Sequence, residues 1–503
     1  MVADLRNFVE RHYFPLVVVI VLVALSLRLQ SLELADNRDF DEGVYLQSLM
    51  AMASGHTLYS EIFYSQPPAF LLSVYPFFVV FGQNLWAARF GIATISLIAL
   101  PAAALLGHTI GGRTASLLAV GLVAFDPLYL KQSQILQAEV PQMALSFLSV
   151  SIAMRYARHR NRITAMVLPL LAGLTATYST LCKLFGISTF FPLLIVVSQI
   201  AFGREKPRRV LVALLAGLLG AVVALAIFGL PYVGSLQALW QQAVQFHLDA
   251  SKAYQERQPD NLFNIAKYLV ASPLSYAAIF GIAMTRTMEK ELVLPLVGWF
   301  LVTLVLLINH KPLFAHHLVT LQLPLIALAT LSLSRDRTYV PLSLPFLTSV
   351  RRFYSSIPGL VILAYSASAD AVSFFDKRSS SVEAANINLM IARDIAQAID
   401  DESLAITDCQ LVPALAQRRT PAGLVDTSFV RIRSQYLSTD DLVAGAEHPD
   451  VKVVLFCSGR LSLPEIKEFR TFVEQRFLLL HTYPPAGAFP RELWIKSQRT
   501  VPE

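Results

Sequence analysis

Charged residues are scarce in this chain of 503 amino acids, at 15% of the sequence against 55% hydrophobic residues. A soluble protein carries roughly 25% charged residues. Cysteine is rare as well, and Cys182, Cys409 and Cys457 form no metal-ligand spacing. These shortages exclude an ordinary cytosolic enzyme, a disulfide-stapled secreted module and a disordered chain. Whether Cys409 and Cys457 pair depends on the fold and is left open.

Other signals are also missing, since the sequence has no internal repeat, no low-complexity tract and no glycine-rich nucleotide-binding loop. The net charge of +6 is small for the length, and nucleic acid is not an expected partner. Long apolar runs are abundant instead, and the mean hydropathy is +0.53. Runs of this length satisfy their backbone in lipid as helices, so we predict a polytopic α-helical membrane protein. The eleven runs lie at about 14–32, 86–107, 113–128, 140–157, 164–181, 183–201, 210–230, 265–285, 291–308, 316–334 and 356–375.

Basic segments between these runs predict the orientation in the membrane. Residues 155–162 and 203–209 are strongly basic, and four arginines separate the last two runs. Positive loops stay in the cytoplasm. They share one side only if the short proline-containing run at 67–81 lies on the outer membrane surface as an interfacial helix. The N-terminus is then cytoplasmic, and the first external loop covers 31–85.

The character of the sequence changes at about residue 377. We expect residues 1–376 to form the transmembrane domain and 377–503 a small soluble α/β domain outside the cell. An odd number of crossings places that domain on the outer side. Its strands are expected at 404–408, 451–456 and 477–481, and its helices at 385–399 and 464–475.

Carboxylates are concentrated in the first external loop, where segment 31–66 holds six acidic residues against one arginine. Asp41 and Glu42 begin a predicted amphipathic helix that also carries Tyr45. Carboxylates are electrostatically favoured at a helix N-terminus, so helix capping is one explanation. The functional interpretation is a general base at the membrane surface, which deprotonates an acceptor hydroxyl as that hydroxyl attacks.

Further ionisable residues lie at the predicted outer ends of spans. Glu139 begins one span, and its alternative role is helix capping before Pro141. Lys183 lies in a tight hairpin, either as a ligand for a lipid phosphate or as a residue that snorkels to the interface. Arg89, at the outer start of the second span, is a candidate of the same kind.

A basic cluster, with Lys311, His316 and His317, flanks the outer start of the tenth span. Imidazoles are common zinc ligands, but the spacing is not HExxH and the sequence offers no fourth ligand. Phosphate binding is therefore favoured over metal binding, no cofactor is assigned, and a divalent cation is left open. A plain interfacial cluster is the alternative.

Several of these residues together resemble a known family. The pattern is similar to the first luminal loop of the C-type (GT-C) membrane glycosyltransferases, in the branch of the protein O-mannosyltransferases and bacterial aminoarabinose transferases. The resemblance covers about residues 10–335. It is carried by Asp41, Glu42, Tyr45, Gly55, Tyr59, Pro67 and Pro68, and further by Arg89, Glu139, Lys183 and His316.

Such enzymes pass a sugar from a polyprenyl phosphate to an acceptor on the outer face, and the resemblance implies this function, with inversion in a single displacement. The acceptor is a protein, a glycan or a lipid. The implied catalytic residues are Asp41, Glu42 and Glu139, with Tyr45 and Tyr59 lining the substrate. The implied donor phosphate ligands are Lys183, Arg89 and His316, and the basic cluster adds His317 and Lys311 as further candidates.

Proteins with other functions also have many membrane spans and few charged residues. A secondary transporter or lipid flippase is one alternative, although the charges gather at one interface and no matching broken helices occur in two halves. A non-catalytic receptor or assembly factor is another. A family member that has lost activity is a third.

Overall fold

The computed structural model of the protein describes residues 2–158, 163–202, 207–254, 258–284, 290–333, 382–486 and 489–497. Most of these residues are helical. The helices before the C-terminal domain are α1 (Val2–Arg28), α2 (Phe40–Ala53), α3 (Ala69–Phe81), α4 (Leu85–Ser96), α5 (Ala99–Phe125), α6 (Pro127–Gln132), α7 (Glu139–Arg158), α8 (Thr164–Cys182), α9 (Phe190–Phe202), α10 (Pro207–Gly229), α11 (Leu236–Trp240), α12 (Phe246–Ala253), α13 (Gln258–Ala271), α14 (Pro273–Met284), α15 (Lys290–Asn309) and α16 (Gln322–Thr330). Short 3₁₀ helices at Leu184–Thr189 and Ala315–Leu321 precede α9 and α16.

Six helical segments among the described residues are long and apolar enough to cross a membrane, or seven if one sharply bent pair counts as a span. The predicted polytopic helical architecture is therefore confirmed. Eleven apolar runs were predicted, and several of them form helices that are shorter or more polar than these segments. The run at 356–375 lies outside the described residues. The six segments are Phe8–Arg28, Leu85–Phe125, Thr164–Cys182, Leu184–Phe202, Pro207–Ala253 and Glu291–Asn309.

The segment Leu85–Phe125 is too long for one crossing, because about 20 helical residues span the hydrocarbon core. Its backbone reverses at Gly112, where φ is 76° and ψ is −156°. Beyond this point the chain packs back on itself, and the Ser116 hydroxyl donates to the carbonyl of Ala104 at 2.9 Å. The two apolar runs predicted in this segment are therefore separate, antiparallel helices.

The run predicted as one span at 265–285 is broken instead. Helices α13 and α14 are bent by 78° at Ser272, directly before Pro273. A residue before proline disfavours the helical conformation, and proline has no N–H to continue the helical hydrogen bonds. The short run at 67–81 forms α3, whose 13 residues are too few to cross a bilayer. Its position on the outer membrane surface stays a prediction.

The C-terminal domain, described at 382–486 and 489–497, has the predicted α/β composition. Its sheet has the order β1-β2-β4-β3, with β1 parallel to β2 and the other pairs antiparallel. The strands are β1 (Leu404–Thr407), β2 (Val451–Phe456), β3 (Phe477–Ala486) and β4 (Phe489–Lys496), and the helices are α17 (382–398), α18 (Leu411–Leu415), α19 (Phe429–Arg433), α20 (Thr439–Glu447) and α21 (Lys467–Arg476).

Two strands of this domain differ from expectation. The predicted buried strand at 477–481 is the beginning of the edge strand β3, and its three leucines at 478–480 are 40–57% exposed. Strand β4 was not predicted, because its proline and charged residues are uncommon in strands. It forms because it pairs with β2 on one side and β3 on the other.

A disulfide joins the carboxyl ends of β1 and β2. Cys409 and Cys457 follow these parallel strands, and their Cα atoms are 5.9 Å apart. The pairing that the sequence left open is therefore made. Cys182, at the end of α8, is buried and free.

The C-terminal domain is docked on helix α2 of the first loop. The buried Gln47 side chain donates to the carbonyl of Arg418 at 3.1 Å and accepts the N–H of Thr420 at 2.9 Å. Gly43 permits this close approach, since a Cβ atom there would lie 2.5 Å from the backbone nitrogen of Leu411. Helix α2 therefore packs directly against the C-terminal domain.

Candidate active site

Helix α2 is anchored by a buried ion pair with α4. Arg89 and Glu42 are fully buried, and the guanidinium donates from Nε to Oε1 at 2.7 Å and from Nη2 to Oε2 at 2.6 Å. Its other donors reach the carbonyls of Leu32, Leu34 and Asp36 in the segment before α2. A buried charge pair is tolerated when its hydrogen bonds are complete. This pair therefore fixes the start of α2.

The same pairing contradicts two predicted roles. The five N–H donors of Arg89 are all engaged, so none is available for a donor phosphate. Both oxygens of Glu42 are also occupied, and Oε1 accepts the N–H of Leu136 as well, at 3.0 Å. Arg89 and Glu42 are therefore not placed to contact a substrate. Both side chains hold the first loop in position.

Two aspartates at the start of α2 have different environments. Asp39 is the N-cap, and its Oδ1 accepts the N–H of Asp41 at 3.0 Å. Helix capping, the alternative role of these carboxylates, is thus performed by Asp39. The Asp41 carboxylate forms no hydrogen bond or ion pair with the residues that the structure describes. Asp41 is therefore the aspartate that is available to a bound molecule.

Burial is the main cause that raises the pKa of Asp41 to about 7, and the Asp39 carboxylate acts in the same direction. The positive charges of His316 and Lys183 oppose this shift. Burial also acts on Asp39, but the hydrogen bond and charge of His316 outweigh it and lower the pKa of Asp39. A carboxylate with a pKa near neutrality is well matched to proton abstraction.

Glu139, the first residue of α7, lies at the centre of a compact cluster. Lys183 donates from Nζ to Glu139 Oε1, and both side chains are almost fully buried, at 7% and 2% exposure. The Nε2 atoms of His316 and His317 lie 3.6 and 4.0 Å from the same oxygen. Helix capping alone does not explain a glutamate with these three neighbours.

His316 connects this cluster to the first loop. Its Nδ1 lies 3.1 Å from Oδ2 of Asp39, while its Nε2 faces Glu139. One imidazole ring thus bridges two carboxylates that are 100 positions apart in the sequence. The structure therefore brings together Asp41, Glu139, Lys183 and His316, which the sequence analysis had selected from four separate segments.

The two tyrosines predicted to line the substrate lie in different places. Tyr45 is one helical turn after Asp41, whose charge acts on its phenol group. Tyr59 is buried in the core of the first loop, where its hydroxyl donates to the carbonyl of Gln66 at 2.8 Å and its ring packs against Tyr232. Tyr45 therefore lies nearer to Asp41 than Tyr59 does, and the substrate-lining role of both tyrosines stays a prediction.

The other two predicted phosphate ligands are less central. His317 is buried, with its ring packed against His310 at 4.7 Å and Phe185 at 5.6 Å. Lys311 is partly exposed and forms no ion pair with the described part of the chain. His317 therefore packs against other rings at the edge of the cluster, and Lys311 lies outside the cluster.

Glu139, His316 and His317 also offer a set of metal ligands, because their ligand atoms lie within 4.8 Å of one another. Two imidazoles and one carboxylate are a donor set that zinc uses. The ammonium of Lys183 already bonds to the carboxylate oxygen that the cation would need. The donor types therefore fit a divalent cation, whereas the charge balance of the cluster does not.

Two residues near the aspartates were missed by the sequence analysis. Asp426 of the C-terminal domain is close enough for its charge to act on Asp41. Gln137 lies beside Asp39, is 1% exposed, and makes no well-aligned hydrogen bond with described residues. The position of Gln137 two residues before Glu139 was a usable signal. Nothing in the sequence marks Asp426, because its position depends on how the C-terminal domain docks.

The described chain thus combines a many-helix membrane domain, a cluster of carboxylates and cations, and a small α/β domain that docks on the first loop. Residues 65–232 match the family described as dolichyl-phosphate-mannose-protein mannosyltransferase. No curated protein sequence matches the chain.

Two solved structures of ArnT from Cupriavidus metallidurans are similar over nearly the whole length. The structure bound to undecaprenyl phosphate has a TM-score of 0.64 at 15% identity and covers 97% of this chain and 99% of that chain. The apo structure has a TM-score of 0.63 at 16% identity, with 95% and 97% covered. The predicted resemblance is confirmed: the chain is a multi-pass membrane protein with the GT-C fold, and the similarity includes the C-terminal domain.

Proposed function

We propose that the protein transfers a sugar from a polyprenyl-phosphate donor to an acceptor hydroxyl at the extracytoplasmic face of a membrane. The observation that carries this proposal is the meeting of Asp41, Glu139, Lys183 and His316 in one site. The fold supports it, because ArnT, which has a similar fold, has been solved with the carrier lipid undecaprenyl phosphate.

Asp41 is the proposed general base. Its carboxylate has no partner in the described protein, and its pKa of about 7 lets it accept a proton near neutral pH. The acceptor oxygen forms a bond to the anomeric carbon as the bond from that carbon to the phosphate oxygen breaks. The acceptor proton passes to Asp41, and the phosphate leaves with the bonding electrons. One such displacement inverts the anomeric centre.

Lys183 and His316 are the proposed stabilisers of the departing phosphate. The ammonium of Lys183 has three N–H donors and uses one of them for Glu139. Fixed cations lower the barrier when they face the charge that develops in the transition state. Glu139 orients both cations in this scheme and does not act as the base, because Lys183 neutralises it. Arg89 and Glu42 hold the first loop in place.

We also propose that the site and the C-terminal domain, taken as 377–503, face the extracytoplasmic side. The disulfide between Cys409 and Cys457 supports this, since disulfides persist in oxidising compartments. The basic segments at 155–162 and 203–209 favour the cytoplasm for the opposite ends of the helices. The N-terminus is cytoplasmic in this arrangement.

Sugar transfer in liposomes tests the proposal. The purified chain is supplied with undecaprenyl phosphates that carry a labelled hexose, pentose or amino sugar, together with a bacterial cell-envelope fraction as acceptor. We expect transfer from at least one donor and a rate about 10²–10⁴-fold lower for Asp41→Asn. Asp440→Asn, which changes an exposed carboxylate of the C-terminal domain, is the control and should match the wild type.

Two results would contradict the proposal. One is the absence of transfer from every donor by the wild-type protein, especially if the same liposomes accumulate a solute as a transporter would. The other is undiminished transfer by the Asp41→Asn variant, which would remove the base from the mechanism.

A further inference from the structure

The C-terminal domain brings a guanidinium group to the helix that carries the proposed base. Arg460 lies in the turn after β2, and its Cζ is 3.8 Å from the ring centroid of Phe40 and 4.5 Å from that of Phe429. Phe40 is the first residue of α2 and the direct neighbour of Asp41. A cation from a distant part of the chain therefore borders the site.

The turn that carries Arg460 is held firmly. The carboxylate of Asp408 accepts the N–H groups of Cys457 at 2.7 Å and of Leu461 at 3.2 Å, on both sides of Arg460. The disulfide between Cys457 and Cys409 ties the same turn to the end of β1. A side chain on a fixed turn loses less entropy when it binds a ligand.

Arg460 forms no direct ion pair with the described residues. Its Nη1 donates to the hydroxyl of Ser458 at 2.7 Å, and its buried Nε has no hydrogen-bond partner in the described protein. The carboxylates of Asp408, Asp41, Asp426 and Asp39 act on it as more distant charges. A buried donor without a partner is unfavourable, so a ligand that accepts a hydrogen bond from this Nε would be stabilised here.

A second arginine of the same domain shows the difference between an anchor and a binding group. Arg431 also stacks on a ring of the first loop, that of Phe63, at 3.9 Å. Its donors, however, are bonded to the carbonyls of Gly423, Asp426 and Tyr436. Arg431 is thus an anchor between the domain and the loop. Stacking alone would serve that purpose for Arg460 too, but it does not account for the buried Nε of Arg460, which has no partner among the described residues.

We propose that Arg460 binds an anionic oxygen group, a phosphate or a carboxylate, on the acceptor molecule that reaches Asp41. A guanidinium matches either group with two parallel hydrogen bonds. The acceptor is then an anionic molecule held between the C-terminal domain and the start of α2, next to Asp41. The identity of the bound molecule as the acceptor rests on the proposed function. The presence of an anion site at Arg460 does not depend on catalysis.

Inorganic phosphate is the probe for the anion site, and stability of the full-length protein in detergent is the measurement. A ligand that binds only the folded state raises the unfolding temperature in proportion to its saturation. Phosphate is titrated against chloride at constant ionic strength. We expect saturable stabilisation of the wild type and at least an approximately tenfold weaker apparent affinity for Arg460→Gln. Arg460→Lys keeps the positive charge but loses the planar guanidinium group. Its apparent affinity for phosphate should lie between those of the wild type and Arg460→Gln.

Two further variants locate the response. Arg470→Gln is the matched control, because Arg470 belongs to the same domain and already pairs with Glu474 and Glu492. It should respond as the wild type does. Lys183→Met removes the proposed donor cation and should also keep the response, since donor and acceptor phosphates would bind at different places.

The proposal is overturned if phosphate does not stabilise the wild type, or if Arg460→Gln and Arg460→Lys both keep the full response. It is also overturned if Lys183→Met loses the response and Arg460→Gln keeps it, which would assign the phosphate to the donor site. Because this assay contains no sugar, its failure is distinct from a failure of the proposed transfer reaction.

Discussion

Replacing Asp41 with asparagine is expected to slow sugar transfer by about 10²–10⁴-fold and also to stabilise the folded protein above neutral pH. Burial raises the pKa of Asp41 from 3.8 to about 7, so the folded state holds this proton more tightly than the unfolded state. The contribution of Asp41 to stability is therefore greatest in acid. It falls as the pH rises from about 4 to about 7, and it is lost above that range. The asparagine variant lacks this dependence.

The size of the effect follows from the same values. The difference between 3.8 and about 7 corresponds to about 4 kcal/mol if the carboxylate were wholly shielded. Asp41 keeps some contact with solvent, which screens its charge, so we expect about 1–2 kcal/mol. Asp39, Asp426, His316 and Lys183 face Asp41, and their own titration is common to both proteins to a first approximation. Variant and wild type should thus be similarly stable below about pH 4, the two should diverge as the pH rises to about 7, and the variant should be more stable near pH 8.

Cys182 provides the assay, because it is buried and free while the other two cysteines form a disulfide. A thiol-reactive fluorophore reports when α8 unfolds, and the midpoint is measured in detergent across the pH range. Asp440→Asn is the control and should follow the wild type at every pH. If the curves of Asp41→Asn and wild type ran parallel from acid to alkaline pH, Asp41 would not occupy the environment described, and its role as base would lose its main support.

Other perturbations test the remaining assignments. Arg89→Ala should destabilise the protein by about 3–5 kcal/mol in chemical denaturation, because Glu42 is left buried without its partner; normal stability with weaker donor binding would restore a phosphate-binding role for Arg89. Lys183→Met should slow transfer by about 10²–10³-fold, and an unchanged donor KM and rate would remove Lys183 from the site. Replacing Cys409 and Cys457 by serine should lower the stability of the C-terminal domain by about 2–4 kcal/mol, with an unchanged denaturation midpoint as the opposing result. Transfer should survive treatment with EDTA, and a loss of activity that zinc restores would assign a cation to the cluster.

The membrane domain could be predicted from the sequence because its main signal is local. An apolar run of sufficient length has few alternatives to a helix in lipid. The details that failed depend on single backbone positions or on distant contacts. The bend at Ser272 follows from Pro273, a signal that was present but not used. Strand β4 is fixed by its two neighbours, so its own residues gave little indication of it.

The members of the site could be selected for a similar reason. Asp41, Glu139, Lys183 and His316 each lie near one end of an apolar run, and the charge pattern placed these ends on one side. The charge pattern does not predict which carboxylate pairs with which cation, because pairing depends on distances of a few ångströms between segments. Arg89 was for this reason assigned to a phosphate although it is bonded to Glu42.

These pairings explain the role of the acidic residues in the first loop. The loop is acidic by count, but its inward-facing carboxylates are neutralised one after another. Asp36 pairs with Arg38 at 3.1 Å, Glu42 pairs with Arg89, and Asp39 is held by His316. Asp41 is left without a partner among the described residues, beside the cations of the cluster. Of the inward-facing carboxylates of this loop, Asp41 is thus the one that is available to a bound molecule, which is the condition that a general base must meet.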